Sequence, residues 1–127
     1  MNGLRTPLSL VKGLGAAKTG TGHWWMQRVT ALALIPLALW FCFSVAALPG
    51  SDYATVKAWL GSPFVVTVLI LTVIATFYHA QLGLQVVIED YISGHGMRLA
   101  AILLVNFLCM IFATVAIVSL LKISLGA

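Results

Sequence analysis

Residues 63–88 read PFVVTVLILTVIATFYHAQLGLQVVI, a run with no charged side chain and a single histidine, His79, set well inside it. A helix rises about 1.5 Å per residue, so roughly 20 apolar residues cross about 30 Å of hydrocarbon. This run exceeds that need, and tilt absorbs the surplus. Two further stretches are nearly free of charge: about 26–48 (MQRVTALALIPLALWFCFSVAAL) and about 97–121 (MRLAAILLVNFLCMIFATVAIVSLL).

Composition agrees. Of 127 residues, 61% are hydrophobic and 8% charged, with a mean hydropathy of +1.07, far from the balance of a soluble domain. No alternating pattern of lipid-facing strands is present, and unpaired backbone is not allowed in lipid, so helices remain. The expected fold is an all-α membrane protein of three transmembrane helices, over about 26–48, 63–88 and 97–121.

The segment SVAALPG offers a small-x-small cleavage site behind an apolar run, as a secretory signal does. That run is too long for a signal core, so the sequence reads as a retained helix. Residues 1–25 are basic, acid-free and rich in Gly and Thr, which predicts a solvated cytoplasmic arm ahead of an anchor domain over 26–127. Arg5, Lys12, Lys18, Arg28 and Arg98 fall on one side of the membrane, against Lys57 and Lys122 on the other. By the positive-inside rule the N-terminus and the 89–96 loop are cytoplasmic, or on the matrix side. The 49–62 connection then faces outward, with DYATVKAWL as a short amphipathic turn. The net charge of +4 thus reports topology and contact with anionic lipid, not nucleic acid.

Cys42 and Cys109 fall mid-helix and read as small apolar residues; there is no Cys/His metal spacing, phosphate loop or nucleophile triad. Three helices enclose little space alone, so partners are expected.

At 100° per residue, Asp90 returns to within about 20° of His79, roughly 16 Å along the axis. Gly83 and Thr72 lie close to the same line, giving a polar and small stripe on a lipid-compatible helix. An imidazole at that depth is costly and faces a bundle or cavity. It either packs against another helix as a neutral hydrogen-bonding group or works as a haem ligand, a proton relay or a metal ligand. Gly83, one turn away, leaves room for a flat macrocycle; with no second membrane histidine, a second axial ligand would come from another chain. At the membrane edge, Asp90 and Tyr91 read as helix-end anchors or, as a carboxylate beside a phenol, as a quinone-headgroup site. Glu89 and Asp90 at a helix C-terminus oppose the macrodipole, which argues for a use beyond stability. Arg28 opens the first helix on the same side: it either snorkels or, if haem is present, pairs with a propionate. His23, Trp24 and Trp25 read as an interfacial belt, and His95 as a solvated loop residue.

QRVTALALIPL at 27–37 and HAQLGLQVVIEDY at 79–91, in a three-helix chain with its N-terminus inside, resemble the D-type hydrophobic anchors of succinate dehydrogenase, respiratory complex II. The resemblance covers nearly the whole chain in topology and about 25 residues in motif. It implies half of a two-subunit bundle around one haem b, each anchor giving one axial histidine, here His79. It also implies a ubiquinone site with Tyr91 bonded to a carbonyl oxygen and Asp90 organising it, with Arg28 near the haem propionates. The implied partners are a flavoprotein subunit, an iron–sulfur subunit and a second, C-type anchor. A bacterial cytoplasmic membrane is expected in preference to a mitochondrial one, because the tail does not read as a convincing presequence. The competing readings are a fumarate reductase anchor, a small transporter subunit using His79 and Asp90 as a proton relay, and a purely structural anchor.

Overall fold

A computed structural model of the chain describes residues 6–8 and 20–126. Most of the expected arm, including Arg5, Lys12 and Lys18, lies outside the described residues. Residues 20–126 form helices α1 (Gly20–Ala46), α2 (Tyr53–Gly61), α3 (Pro63–Tyr91) and α4 (His95–Ser124). Three of them, α1, α3 and α4, are long and apolar enough to span a membrane.

The helices overrun the stretches expected from hydropathy. α1 begins at Gly20, inside the segment read as the arm, and stops at Ala46, short of residue 48. α3 continues through Glu89 and Asp90 to Tyr91, and α4 starts at His95, so the inner connection shrinks from 89–96 to Ile92–Gly94. His95 is therefore an exposed first residue of a helix and not a loop residue. Hydropathy marks the part of a helix that lies in lipid, whereas backbone bonding continues into the interface wherever nothing breaks it.

The breaks have local causes. α1 unwinds through Ala47 N–H to Phe43 and Leu48 N–H to Val45, and Ser51 N–H then closes a turn on Leu48 at 2.9 Å. Pro49 cannot continue the helix, and Gly50 takes the left-handed φ of 86° that the turn requires. The outer segment read as a turn is a nine-residue helix, α2. Asp52 caps it, its carboxylate accepting from Thr55 N–H at 2.9 Å. Those bonds from Thr55 hold the Asp52 carboxyl below the usual carboxylate range. The cap is thus in place at neutral pH and is lost as pH falls through that lowered value. Pro63 sits in the first turn of α3, where its missing N–H costs nothing. At the inner turn, Arg98 Nε–H donates to the Ile92 carbonyl at 2.9 Å and ties α4 to the end of α3.

α3 is central. It packs on α1 on one side and α4 on the other, while no Cα atom of α1 comes within 8 Å of one in α4. The buried apolar side chains among the described residues, Val65, Val66, Leu69 and Leu82, accordingly all belong to α3. At the end that carries α2, Trp40 of α1 stacks on Trp59 of α2 at 6.3 Å and meets Phe64 of α3 edge-on at 6.5 Å, joining three elements. Four hydroxyls within the spans are satisfied on their own helices: those of Thr67, Thr72, Thr114 and Ser119 each donate at 2.7 Å to the carbonyl one turn back.

Candidate functional site

His79 lies half-buried on α3 and faces α1. Its Nδ1 is 3.0 Å from Thr30 Oγ1, a contact between helices remote in sequence. Thr30 is 6% exposed, the one buried polar side chain among the described residues. The other ring nitrogen, Nε2, makes no hydrogen bond with the described residues. One turn further along α3, Gly83 opens onto free space: a Cβ placed there would meet no atom within 4 Å.

This arrangement suits a macrocyclic metal centre. No cluster of three or more His, Cys, Asp or Glu that would hold a bare ion exists among the described residues. A single imidazole with one nitrogen hydrogen-bonded and the other without a partner could hold a metal only if a bound ring supplied most of its ligands. Beside it, Gly83 supplies a face without a side chain. An apolar cleft of about 310 Å³ runs outward from this level between α1 and α3, walled by Leu34, Phe41, Leu69, Thr72, Thr76 and Phe77 among others.

Other residues singled out by the sequence lie apart from His79. Two positions before Thr30, Arg28 is turned about 160° around α1 from the face that meets His79. It is exposed, with its guanidinium carbon 5.3 Å from the centre of the Trp24 ring. Trp24 and Trp25 are 50% and 58% exposed and meet edge-on at 5.2 Å, as an interfacial belt would. His23 departs from that belt. It lies within about 20° of the Thr30 face, is half-buried, and its buried Nε2 has no hydrogen-bond partner.

Asp90 and Tyr91 are the last two residues of α3, next to its connection with α4. Both are exposed, Tyr91 by 85%, and neither side chain has a hydrogen-bond partner among the described residues. Glu89, by contrast, accepts from Gln85 Nε2–H at 2.9 Å on its own helix. The acidic pair thus divides into a carboxylate engaged within the chain and another presented outward beside a phenol. No hydrogen-bonded path of described side chains joins His79 to Asp90, since the histidine turns to Thr30 instead.

Sequence reasoning missed Thr30 and a second polar contact, Gln81 Nε2–H to Asn106 Oδ1 at 3.0 Å between α3 and α4. The available signal for Thr30 was its place in QRVTALALIPL, at the depth of His79 on an antiparallel neighbour; for Gln81 and Asn106 it was two carboxamides within apolar spans.

The chain matches the family described as succinate dehydrogenase/fumarate reductase transmembrane subunit over residues 2–117. It is 38% identical to the succinate dehydrogenase hydrophobic membrane anchor subunit of Rickettsia conorii, over 86% of this chain and 87% of the relative. It is 34% identical to the subunit of the same name from Paracoccus denitrificans, over 96% of this chain and 94% of the relative. A succinate dehydrogenase membrane anchor subunit of Reclinomonas americana is also 34% identical, over 70% of this chain and 77% of that protein.

Proposed function

Because the chain belongs to the family of succinate dehydrogenase/fumarate reductase transmembrane subunits, we propose that it is the hydrophobic membrane anchor of a succinate:quinone oxidoreductase, contributing a haem b ligand and part of a ubiquinone site. The family match supports the membership of such a complex. The role within it rests on one observation: His79 is held at Nδ1 by Thr30 while Nε2 and the space beside Gly83 stay free.

In this reading His79 would hold haem b through Nε2, together with a residue of a second, C-type anchor. Arg28, which stacks on Trp24 and is turned about 160° from the face that meets His79, would serve a haem propionate only by leaving that stack and swinging around α1. Bound haem supplies a one-electron store beside the quinone site. Tyr91 donates its phenolic hydrogen to a quinone carbonyl oxygen, and Asp90 orients the phenol and relays protons from the aqueous side. The open exposure of both residues suits a site completed by other subunits: an iron–sulfur subunit, which delivers electrons from a flavoprotein, and the second anchor. The setting is a bacterial cytoplasmic membrane. Quinone potential and the soluble partners, not this chain, set the direction between succinate oxidation and fumarate reduction.

The test is the reduced-minus-oxidised absorbance of the complex purified in mild detergent. A b-type band is expected, and His79→Ala should abolish it at unchanged subunit stoichiometry. A full band in that variant would overturn the ligand assignment.

A further inference from the structure

We propose that Thr30 is a positioning residue for haem ligation: its hydroxyl oxygen accepts a hydrogen bond from His79 Nδ1–H, fixing the tautomer in which Nε2 carries the lone pair offered to iron. This rests on the haem reading above and deepens it.

Proton supply at Thr30 decides the direction of the bond. Thr30 Oγ1 has three neighbours within reach: the Met26 carbonyl at 2.7 Å, the Gln27 carbonyl at 3.1 Å and His79 Nδ1 at 3.0 Å. Two of the three are carbonyl oxygens, which only accept, and a hydroxyl has one hydrogen to give. The shortest contact takes it, as in the other hydroxyls that bond one turn back along their own helices in the spans. A lone pair of Thr30 is then what remains to face Nδ1, so the bond forms only if Nδ1 carries the hydrogen. The opposite tautomer would set lone pair against lone pair, or make the hydroxyl abandon its carbonyls.

Burial makes the constraint hard. At 6% exposure Thr30 has little access to water that would replace a lost partner. An imidazole N–H without an acceptor in an apolar span carries a desolvation cost of its own. The contact also sets the azimuth of the ring, because it reaches from α1 to α3 and so fixes the ligand of one helix against another. Metal-bound histidines characteristically donate their second N–H to a fixed acceptor, which orients the ring and raises the basicity of the ligating nitrogen.

The variant that tests this is Thr30→Val in the assembled complex, since valine keeps the shape and removes the acceptor. Haem per complex should fall about tenfold under mild chaotrope challenge. The haem retained should have a raised midpoint potential, because a less basic Nε2 favours ferric iron less; a tenfold change in that preference is about 59 mV for one electron. Thr30→Ser restores the hydroxyl and should restore both readouts, which a role in packing volume alone would not explain. Thr30→Ala provides the same comparison with serine if valine is rejected at assembly. Haem content and potential equal to the parent in the valine or alanine variant, or a serine variant that behaves like valine, overturns the inference. A parent complex without a b-type band, or one whose band survives His79→Ala, instead overturns the haem reading itself.

Discussion

Tyr91 stands 85% exposed at the last turn of α3, beside an Asp90 whose carboxylate has no partner among the described residues. If the phenol bonds a quinone, its hydroxyl is the group to remove. Tyr91→Phe keeps the ring that an interfacial anchor would need and deletes only the hydrogen bond. A bond worth up to about 1.4 kcal/mol is a factor of up to about ten, so quinone reduction should fall severalfold, up to about tenfold. Activity with an artificial acceptor that takes electrons from the soluble subunits should stay intact, and equal rates in both assays would reduce Tyr91 to an anchor. His79 was legible from sequence because an imidazole in an uncharged run has few uses. Thr30 was not, because threonine in a membrane helix ordinarily bonds its own backbone and announces nothing. Thr30 does so as well, and only the approach of α3 reveals the third contact. Arg28 shows the reverse limit: its depth followed from sequence, but its direction around α1 is set by which face packs on α3.

At the scale of elements, the number and order of the spans followed from hydropathy, while their ends depended on bonds that hydropathy does not register. Asp52 with Thr55 is a legible cap signal, yet nine residues with a single basic side chain read equally well as a turn until the stacking of Trp59 on Trp40 holds the segment down. The pairing of α3 with α4 was less legible still, since lipid and neighbouring helix are equally apolar surroundings. The Gln81–Asn106 bond gives that pairing a specific register. Carboxamide bonds between membrane helices contribute about 0.6 kcal/mol on average and rarely more than about 2. A cycle of Gln81→Leu, Asn106→Leu and the double variant, followed by the thermal dissociation of the complex, should therefore give a small but non-zero coupling. The double variant is then less destabilised than the sum of the single ones. Strict additivity would show that the amides meet without contributing to stability.

Among the described residues of the whole molecule, α1 and α4 each pack on α3, and their Cα atoms stay more than 8 Å apart. Four buried apolar side chains, all on α3, are its core among the described residues, whereas Phe41 and Phe43 of α1 and Phe107 and Phe112 of α4 are more than 40% exposed. Lipid accepts such faces, but it supplies no driving force to hold α1 against α3. The hydrogen bond found between those two helices joins Thr30 to His79, at the proposed ligand itself. A large rigid group bound there would act as a tie between helices as well as a redox centre. A ligand present at about 100 times its Kd adds about 2.7 kcal/mol to the state that binds it. The complex assembled in cells starved of haem should therefore dissociate at a lower temperature than the loaded complex. Thiol labelling gives the same prediction a local form: Cys42 lies on the wall of the α1–α3 cleft, so its reaction with a small maleimide should speed up when haem is withheld. Cys109, on α4, lies outside that cleft and serves as the reference. Equal dissociation temperatures and equal labelling of Cys42 in the two preparations would mean that α1 is fixed by its subunit neighbours alone, with the Thr30–His79 level contributing nothing to assembly.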